Sequence, residues 1–507
     1  MIRYAFTGLV VALAMLASSS TPMAQTAVKP LIIATNIEPD TLDITSSRNA
    51  PNARQAMTNV TEALVGFTTD GTPTPTIAEW VNGPENKYVD FKLRQGVKFH
   101  SGDELTAQDI VFADARMREK TSIYRIRRDP TISSVEAVDK YTARFHLKSP
   151  DVTMLALRLL VVVSKSYYDR VGEDEFVRKP VGTGPYKVAE YKTGQYLDLI
   201  RNDDFWGEKP QVARARFVFA KEDSTRTAML KTGEADMIVN ASFNDAAELK
   251  AAGFKTAIVP VPTTMAIRFN SNTTVAPTKD RRVRLAMAHA IDVNAIVKGL
   301  FQSVPATYPR LAPGDRGYDP NLKAYEYNPA LSKKLLAEAG YPKGFTIPMW
   351  YFTGGDVGVR ETAEAITLYL KTVGITVDPK GNDVGVRAES YVKYRNDPNA
   401  PMFYLSPTVM AKNSETIDSL AASHSSSAAS TYILPEFDKE VDLALAATDM
   451  KTHEEHVRKA VAAIHEEVTT IPIWTMVSVF ATKPNIDYVP TEKVRFILAM
   501  LKDIKVK

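Results

Sequence analysis

The chain has 507 residues, of which 45% are hydrophobic and 24% charged, and its formal net charge is +3. This composition is ordinary for a globular protein of roughly two to four domains that buries its cores without disulfides. The sequence contains no cysteine, which excludes disulfides, thiolate catalysis and cysteine-bound metal, and the mixed charges without a basic run argue against a nucleic-acid partner.

The first residues have the pattern of a secretory signal peptide. Arg3 precedes the apolar run Leu9–Leu16, and a small and polar stretch, Ala17–Gln25, follows. The apolar run is about 8 residues long, far short of the roughly 20 that span a bilayer. We therefore predict that residues 1–24 are cleaved and that the protein is periplasmic. Because no cysteine is available for lipid attachment, we do not expect a lipoprotein.

Hydrophobic periodicity predicts alternating strands and helices, and therefore an α/β protein. The predicted elements of the first half are the strands Leu31–Ala34 and Asp90–Arg94, a helix beginning at Thr106, the hairpin Val135–Val138 with Thr142–Leu147, the strands Tyr186–Val188, Leu197–Ile200 and Arg216–Phe219, the helix Ser224–Lys231 and the strand Ala235–Val239. Those of the second half are the helices Asp280–Ile291, Pro329–Ala339, Arg360–Val373 and His453–Val468, and the strands Phe345–Phe352, Ile375–Val377, Met402–Leu405 and Val477–Phe480.

Catalytic motifs are scarce. The sequence has no G-x-S-x-G nucleophile elbow and no phosphate-binding P-loop. Ser390–Lys393 fits S-x-x-K, and K-T-G occurs at residues 192–194 and 231–233, but the order is the reverse of that in penicillin-binding enzymes. We therefore predict a binding protein and not an enzyme.

The histidines do not form a recognisable metal motif. His453 and His456 are three residues apart on a predicted helix and could share a metal, but their charged neighbours favour a solvated helix face. His100 is expected to be a turn histidine that hydrogen bonds to the backbone. No metal and no cofactor are predicted.

The stretch Phe91–Phe112, FKLRQGVKFHSGDELTAQDIVF, resembles the signature of the family 5 extracellular solute-binding proteins, the peptide, nickel and opine group of ABC importer receptors. Five further stretches resemble motifs of this family, occur in its order and extend the resemblance over nearly the whole chain after the signal segment. They are Val181–Tyr186, Arg201–Gly207, Lys231–Asp236, Asp280–Met287 and Leu335–Tyr341.

The resemblance implies an α/β, periplasmic-binding-protein type II-like fold with two lobes, a hinge and an extra α/β domain (cluster C-like). The implied first lobe is discontinuous and comprises residues 25–70, 185–265 and 480–507. The extra domain would be residues 71–184, packed on the first lobe, and the second lobe residues 266–479. Two extended stretches, Met265–Phe269 and Val477–Thr482, are expected to carry the chain between the lobes.

The resemblance also implies a function. The protein would capture a small solute such as a peptide or an opine between its lobes, as a monomer, and deliver it to a membrane ABC permease complex. Peptide-binding members have a tryptophan and an aspartate in the stretch that corresponds to Met402–Asn413, and this chain has neither. Lys412 and Arg310 suit an anionic solute better than a free-amine peptide.

Three alternatives remain open at this point: a metal-chelate receptor of the nickel type, a secreted enzyme on the same fold, and a sensor adaptor. By analogy with the family, we predict ligand-binding residues on strand ends and loops that face the cleft. They are Asn36, Trp350, Phe352, Tyr404, Ser406, Lys412 and His424.

Overall fold

The computed structural model describes residues 29–39, 41–45, 57–67, 73–119, 131–156, 162–270, 277–301, 311, 315–353, 358–383, 403–409, 415–427, 430–488 and 499–507. The predicted signal peptide, residues 1–24, lies outside these residues. No helix in this described part is long and apolar enough to cross a membrane.

The strands are β1 Leu31–Thr35, β2 Val65–Phe67, β3 Pro73–Pro75, β4 Ala78–Asn82, β5 Tyr88–Leu93, β6 Ile132–Ala137, β7 Thr142–Leu147, β8 Tyr186–Lys192, β9 Tyr196–Arg201, β10 Arg214–Phe219, β11 Met237–Val239, β12 Lys255–Phe269, β13 Phe345–Thr353, β14 Ile375–Asp383, β15 Phe403–Val409, β16 Thr470–Thr482, β17 Ile486–Tyr488 and β18 Ile504–Val506. The helices are α1 Ala107–Glu119, α2 Lys165–Arg178, α3 Asp223–Thr232, α4 Phe243–Ala251, α5 Arg281–Ala290, α6 Val293–Phe301, α7 Pro329–Glu338, α8 Val359–Thr372, α9 Glu415–Ala421, α10 Pro435–Ala446 and α11 Met450–Glu466.

Most predicted helices begin and end near their local sequence signals. The backbone N–H and the hydroxyl of Thr106 both donate to the Asp109 carboxylate, at 2.8 and 2.9 Å, as the predicted helix start of α1 requires. Helix α3 ends at Gly233, whose φ of 84° lies in the left-handed region that favours glycine. These signals act within one helical turn, and the sequence therefore predicts the positions of the helix ends well.

One large sheet organises the molecule. Ten of these strands form it, in the order β14-β13-β15-β12-β16-β11-β1-β10-β9-β8. The two central strands are long and antiparallel: β12 has 15 residues and β16 has 13. The strands β11, β1, β10, β9 and β8 are called the first half of the sheet, and β15, β13 and β14 the second half.

The strands β12 and β16 pass from one half to the other where their pairing is irregular. Pro260 lies opposite Val477, whereas Thr264 lies opposite Thr475, so the register shifts between these two pairs. Pro260 and Pro262 have no backbone N–H to donate, which explains why the ladder breaks there. The transition therefore falls just before the predicted stretch Met265–Phe269 in β12, and just before Val477–Thr482 in β16.

The hydrophobic cores change at the same place. Val259 packs against the core of the first half, whereas Met265 belongs to the core of the second half. In β16, Met476 belongs to the second-half core and Val477 to a smaller cluster with Ala34 and Ile238. Separate cores on either side of one continuous sheet allow each half to remain rigid by itself.

A four-stranded sheet, in the order β4-β5-β7-β6, accompanies helices α1 and α2. Phe91 of β5 and Ile110 of α1 belong to the same buried cluster as Ile33 of β1 and Phe217 of β10. This α/β unit therefore shares a core with the first half of the large sheet. Helices α9, α10 and α11 enclose another cluster, which contains Leu420, Phe437 and Val457.

Candidate functional site

The carboxyl ends of the parallel strands in both halves point toward the transition in β12 and β16. In the first half, Val239 at the end of β11 pairs with Phe480, and β1 and β10 run parallel to β11. In the second half, Val409 at the end of β15 pairs with Thr263, and β13 and β14 run parallel to β15. Ligands of open α/β sheets bind outside carboxyl strand ends, so this convergence marks the candidate site.

A fully buried arginine organises the first-half side of this site. Arg226 of α3 is 0% exposed. Its Nη1 donates to the carbonyls of Ala220 and Lys221, just after β10, at 2.7 and 2.8 Å. Its Nε and Nη2 donate to the carbonyls of Val239 and Asn240, at the end of β11, at 3.1 and 2.7 Å. One side chain thus holds together the ends of β10 and β11, the two strands that flank β1.

The predicted residue Asn36 belongs to the same region. Asn36 follows β1, and its Oδ1 accepts a hydrogen bond from Nδ2 of Asn240 at 3.1 Å. Asn240 has a φ of 55°, a conformation that asparagine tolerates better than most residues. Asn240 is not among the predicted residues, although its position directly after an apolar strand, as for Asn36, could have indicated it.

The segment that follows β1 is fastened at two further points. The Glu38 carboxylate accepts from the backbone N–H of Gly194 at 2.6 Å, in the turn between β8 and β9. Further along, Asp43 pairs with Arg116 of α1 at 2.8 Å, and the two are 1% and 4% exposed. Arg116 also pairs with Glu173 of α2 at 2.7 Å. The four-stranded unit therefore holds a segment that borders the candidate site.

Four predicted residues lie on the neighbouring strands β13 and β15 of the second half. Trp350 of β13 is opposite Tyr404 of β15 in the register. Two residues further along each strand lie Phe352, which is 2% exposed, and Ser406, which pairs with Ala266 of β12. The structure thus brings these four positions together on neighbouring strands, with Trp350 and Phe352 in the last four residues of β13 and Tyr404 and Ser406 in the first four of β15.

His424 lies elsewhere in the second half. Its Nδ1 is 2.7 Å from Oγ of Ser426, and its Nε2 is 3.7 and 3.6 Å from the carboxylates of Asp438 and Asp442 on α10. These contacts join His424 to α10 and not to the strand ends. Lys412 and Arg310 lie outside the described residues.

The signature residue His100 has a structural role. Its Nδ1 accepts from the backbone N–H of Gly182 at 3.2 Å, and its Nε2 donates to the carbonyl of Gly184 at 2.9 Å. Burial lowers the pKa of His100 to about 4, so the ring is neutral near neutral pH. A side chain at Gly182 would place Cβ 2.1 Å from the carbonyl oxygen of Val60. The prediction that His100 is a turn histidine bonded to the backbone is confirmed. The motifs Phe91–Phe112 and Val181–Tyr186 therefore form one packed unit.

A half-buried carboxylate, that of Glu62, lies close to this unit. The indole Nε1 of Trp206 donates to Glu62 at 2.7 Å, and the guanidinium of Arg94 lies 4.7 Å from the centre of the Trp206 ring. Burial raises the pKa of Glu62 to about 7, although Trp206, Lys502 and Arg94 oppose the rise. Trp206 therefore serves this internal contact, and its ring packs against the core of the first half.

We expect Glu62→Gln to change how stability depends on pH. Because the pKa of Glu62 is raised in the folded state, the stability that its protonated form contributes is complete below about pH 4.5 and is lost as pH rises through about 7. The wild-type protein should lose stability relative to Glu62→Gln across this window, in urea unfolding curves measured from pH 4.5 to 8. The control Glu85→Gln removes an exposed carboxylate, and its curve should follow the wild type. Parallel curves for wild type and Glu62→Gln would contradict the prediction.

The paired histidines do not form a metal site. His453 is 1% exposed and its Nδ1 donates to the carbonyl of Ala444 at 2.8 Å, so the predicted solvated face is wrong for this residue because α11 packs on α10. His456 donates to the Glu440 carboxylate at 2.7 Å. In the ranges that the structure describes, no group of three or more potential ligands could hold a metal ion.

Comparison with known proteins identifies the class. The family described as bacterial extracellular solute-binding proteins, family 5 Middle, matches residues 72–423. This match covers more than half of the chain, and the protein belongs to this family, as the motifs predicted. The family is made up of binding proteins that take small solutes, work with ABC permease complexes and are periplasmic or extracellular.

Particular relatives extend over most of the chain. Heme-binding protein A of Haemophilus influenzae is 26% identical over 451 residues, which cover 81% of this chain and 80% of that protein. The dipeptide-binding protein of Escherichia coli is 26% identical over 433 residues, covering 79% and 80%. The solved structure of the ABC transporter-associated periplasmic binding protein DppA from Helicobacter pylori, in complex with peptide STSA, matches with a TM-score of 0.80 and 24% identity, over 94% of this chain and 98% of that chain.

These findings confirm the predicted fold, a type II-like periplasmic binding protein with two lobes and an extra α/β domain. They also confirm the predicted class, a solute-binding receptor of an ABC importer.

Proposed function

We propose that the solute binds where the carboxyl ends of β1, β10 and β11 face those of β13, β14 and β15, and that the closed complex is passed to the permease. The convergence of these strand ends on one transition is the observation that supports this. Small changes of backbone angles where β12 and β16 are irregular would rotate one half against the other. A solute that contacts both halves stabilises the closed form by its differential affinity.

The residues that we propose for this site come from both halves. Asn36, with Asn240 beside it, would contribute from the first half. Trp350, Phe352, Tyr404 and Ser406 would contribute from the second half, and Lys412 and His424 remain proposed ligand residues. Aromatic faces with a few amide and hydroxyl groups suit a small polar organic solute.

We propose an anionic solute in preference to a free-amine peptide. The stretch Met402–Asn413 contains no acidic residue and no tryptophan, whereas it contains Lys412, and Arg310 is a second basic residue. Members of the family are named for solutes as different as heme and dipeptides, so membership does not select among them. Electrostatic complementarity is therefore the reason for proposing an anionic solute.

The remaining parts of the proposal follow from the sequence. The chain would be secreted to the periplasm through residues 1–24 and would act as a monomer without catalysis. The domain division would be residues 25–70, 185–265 and 480–507 for the first lobe, 71–184 for the extra domain and 266–479 for the second lobe. The change of core between Val259 and Met265 supports the boundary between the first and second lobes near residue 265.

A thermal-shift screen on the refolded protein tests the solute class, since refolding removes a tightly held solute. We expect the melting temperature to rise with opines or organic acids and not with free-amine peptides. At a hundredfold excess over the dissociation constant, the stabilisation should reach about 2.7 kcal/mol. A shift with free-amine peptides would overturn the anionic solute, and a shift with metal chelates would favour the nickel-type alternative.

The variant Asn36→Asp tests the place of binding. We expect a negative charge beside the proposed site to weaken an anionic solute by about tenfold, which corresponds to about 1.4 kcal/mol. The control Asn321→Asp makes the same change at an exposed turn and should leave the affinity unchanged. Equal affinities for both variants and the wild type would contradict the proposed location.

A further inference from the structure

A second concave site lies within the second half of the molecule. It contains about 520 Å³ of open space, including solvent at its mouth, between the end of α5, the start of α6, the segment 324–327 and the start of β16. Its lining includes Asp292, Asn294, Tyr325, Tyr327, Ile471 and Pro472.

The pocket has a negative charge. Asp292 is the only lining residue with a charged side chain, and its Oδ1 accepts from the backbone N–H of Ala295 at 2.9 Å, which caps α6. Among the described residues, no basic side chain pairs with this carboxylate. The carbonyl end of α5 and the N–H end of α6 meet here, so their opposite dipole ends offset each other and the carboxylate dominates.

Two aromatic rings of this pocket are held in place from behind. The Tyr325 hydroxyl donates to the carbonyl of His465 at 2.6 Å, and the two rings are stacked with centres 4.4 Å apart. The Tyr327 ring meets the ring of Tyr369 edge-on, with centres 5.7 Å apart, while Tyr327 remains 41% exposed. Burial and the negative charge of Asp292 raise the pKa of Tyr369.

Such a pocket should select its ligands by their charge. Fixed tyrosine rings attract cations through their negative faces, and a carboxylate adds a direct electrostatic attraction. The apolar residues Ile471 and Pro472 would contact methyl or methylene groups. An anion would be repelled, and a neutral molecule of the same shape would gain neither electrostatic contribution.

We propose that this pocket binds a small organic cation, an amine or a quaternary ammonium compound, between Asp292 and the rings of Tyr325 and Tyr327. This site is distinct from the proposed solute site at the strand ends and does not depend on it. Choline, a quaternary ammonium compound, serves as the probe for this class of ligand.

Isothermal titration calorimetry with choline tests this proposal, with 3,3-dimethylbutanol as the neutral molecule of the same shape. We expect choline to bind at least tenfold more tightly than the alcohol. Asp292→Asn should weaken choline binding by about tenfold. Asparagine caps helices about as well as aspartate, so this variant removes the charge while it keeps the cap of α6.

Asp449→Asn is the matched control. Asp449 caps α11 by accepting from the backbone N–H of Thr452 at 2.9 Å, so the same substitution is made at the same kind of position away from the pocket. Its choline affinity should equal that of the wild type. A second variant, Tyr327→Ala, removes an exposed ring and should also weaken choline. No heat of binding at about 10 mM choline, or equal affinities in Asp292→Asn and the wild type, would overturn the proposal.

Discussion

Replacing Arg226 with methionine is expected to lower the free energy of unfolding by about 3 kcal/mol and to weaken solute binding by at least about tenfold. The reason is the number of acceptors that depend on this one side chain. Four backbone carbonyls at the ends of β10 and β11 accept from it, and it also pairs with Asp223. Methionine keeps much of the volume but supplies no donor, so buried carbonyls lose their partners.

Solute binding should weaken because the hydrogen bonds of Arg226 also determine the shape of the proposed site. Without Arg226, the positive φ of Asn240 is no longer enforced, and the bond from Asn240 to Asn36 loses its support. The expected signature is a loss of affinity that persists below the unfolding transition, where circular dichroism still reports a folded chain. Unfolding is measured in urea, and affinity by calorimetry with a solute from the screen.

Lys231→Met provides the comparison on the same helix. Lys231 pairs with Glu248 at the surface and is 36% exposed, so its loss should cost at most about 1 kcal/mol and should not change affinity. If Arg226→Met were as stable as Lys231→Met, the organising role of Arg226 would be refuted. If it lost stability but kept full affinity, the strand ends would not belong to the solute site.

The second large effect is expected from Arg116→Met, which should destabilise the protein by about 3–5 kcal/mol. Removal of Arg116 leaves Asp43 buried without its cationic partner, and it removes the guanidinium that lies 4.7 Å from the Phe176 ring. Breaking a buried pair from one side costs more than the pair contributes, because the remaining charge is uncompensated. Chemical unfolding of the variant measures this loss.

A double-mutant cycle with Asp43→Asn separates the pair from its surroundings. Each single variant should be strongly destabilised, and the double variant should be more stable than the sum of the two losses predicts. Arg170→Met on α2 is the control, since Arg170 is 52% exposed and its partner Asp103 is 25% exposed. Strict additivity of Arg116→Met and Asp43→Asn would show that the two side chains act independently.

Arg226 and Arg116 have roles that sequence patterns do not predict. Both lie on helices that the sequence predicts, and each is an ordinary polar residue in a local window. Arg226 and Asn240 are 14 residues apart, but Asn240 and Asn36 are 204 apart, and Arg116 and Asp43 are 73 apart. A partner so distant in the chain leaves no periodic trace, so neither arginine could be predicted as an organiser of the site.

The helix start at Thr106 and the helix end at Gly233 could be predicted because the groups that form them are neighbours in the chain. The motif resemblance similarly indicated the family and the two-lobed architecture. The pairing of β12 with β16, the exact point of transition beside Pro260, and the inward position of His453 depend on packing between distant segments. For this reason the residues of the chain indicate what class of receptor it is, whereas the folded arrangement indicates which side chains hold its strand ends in place.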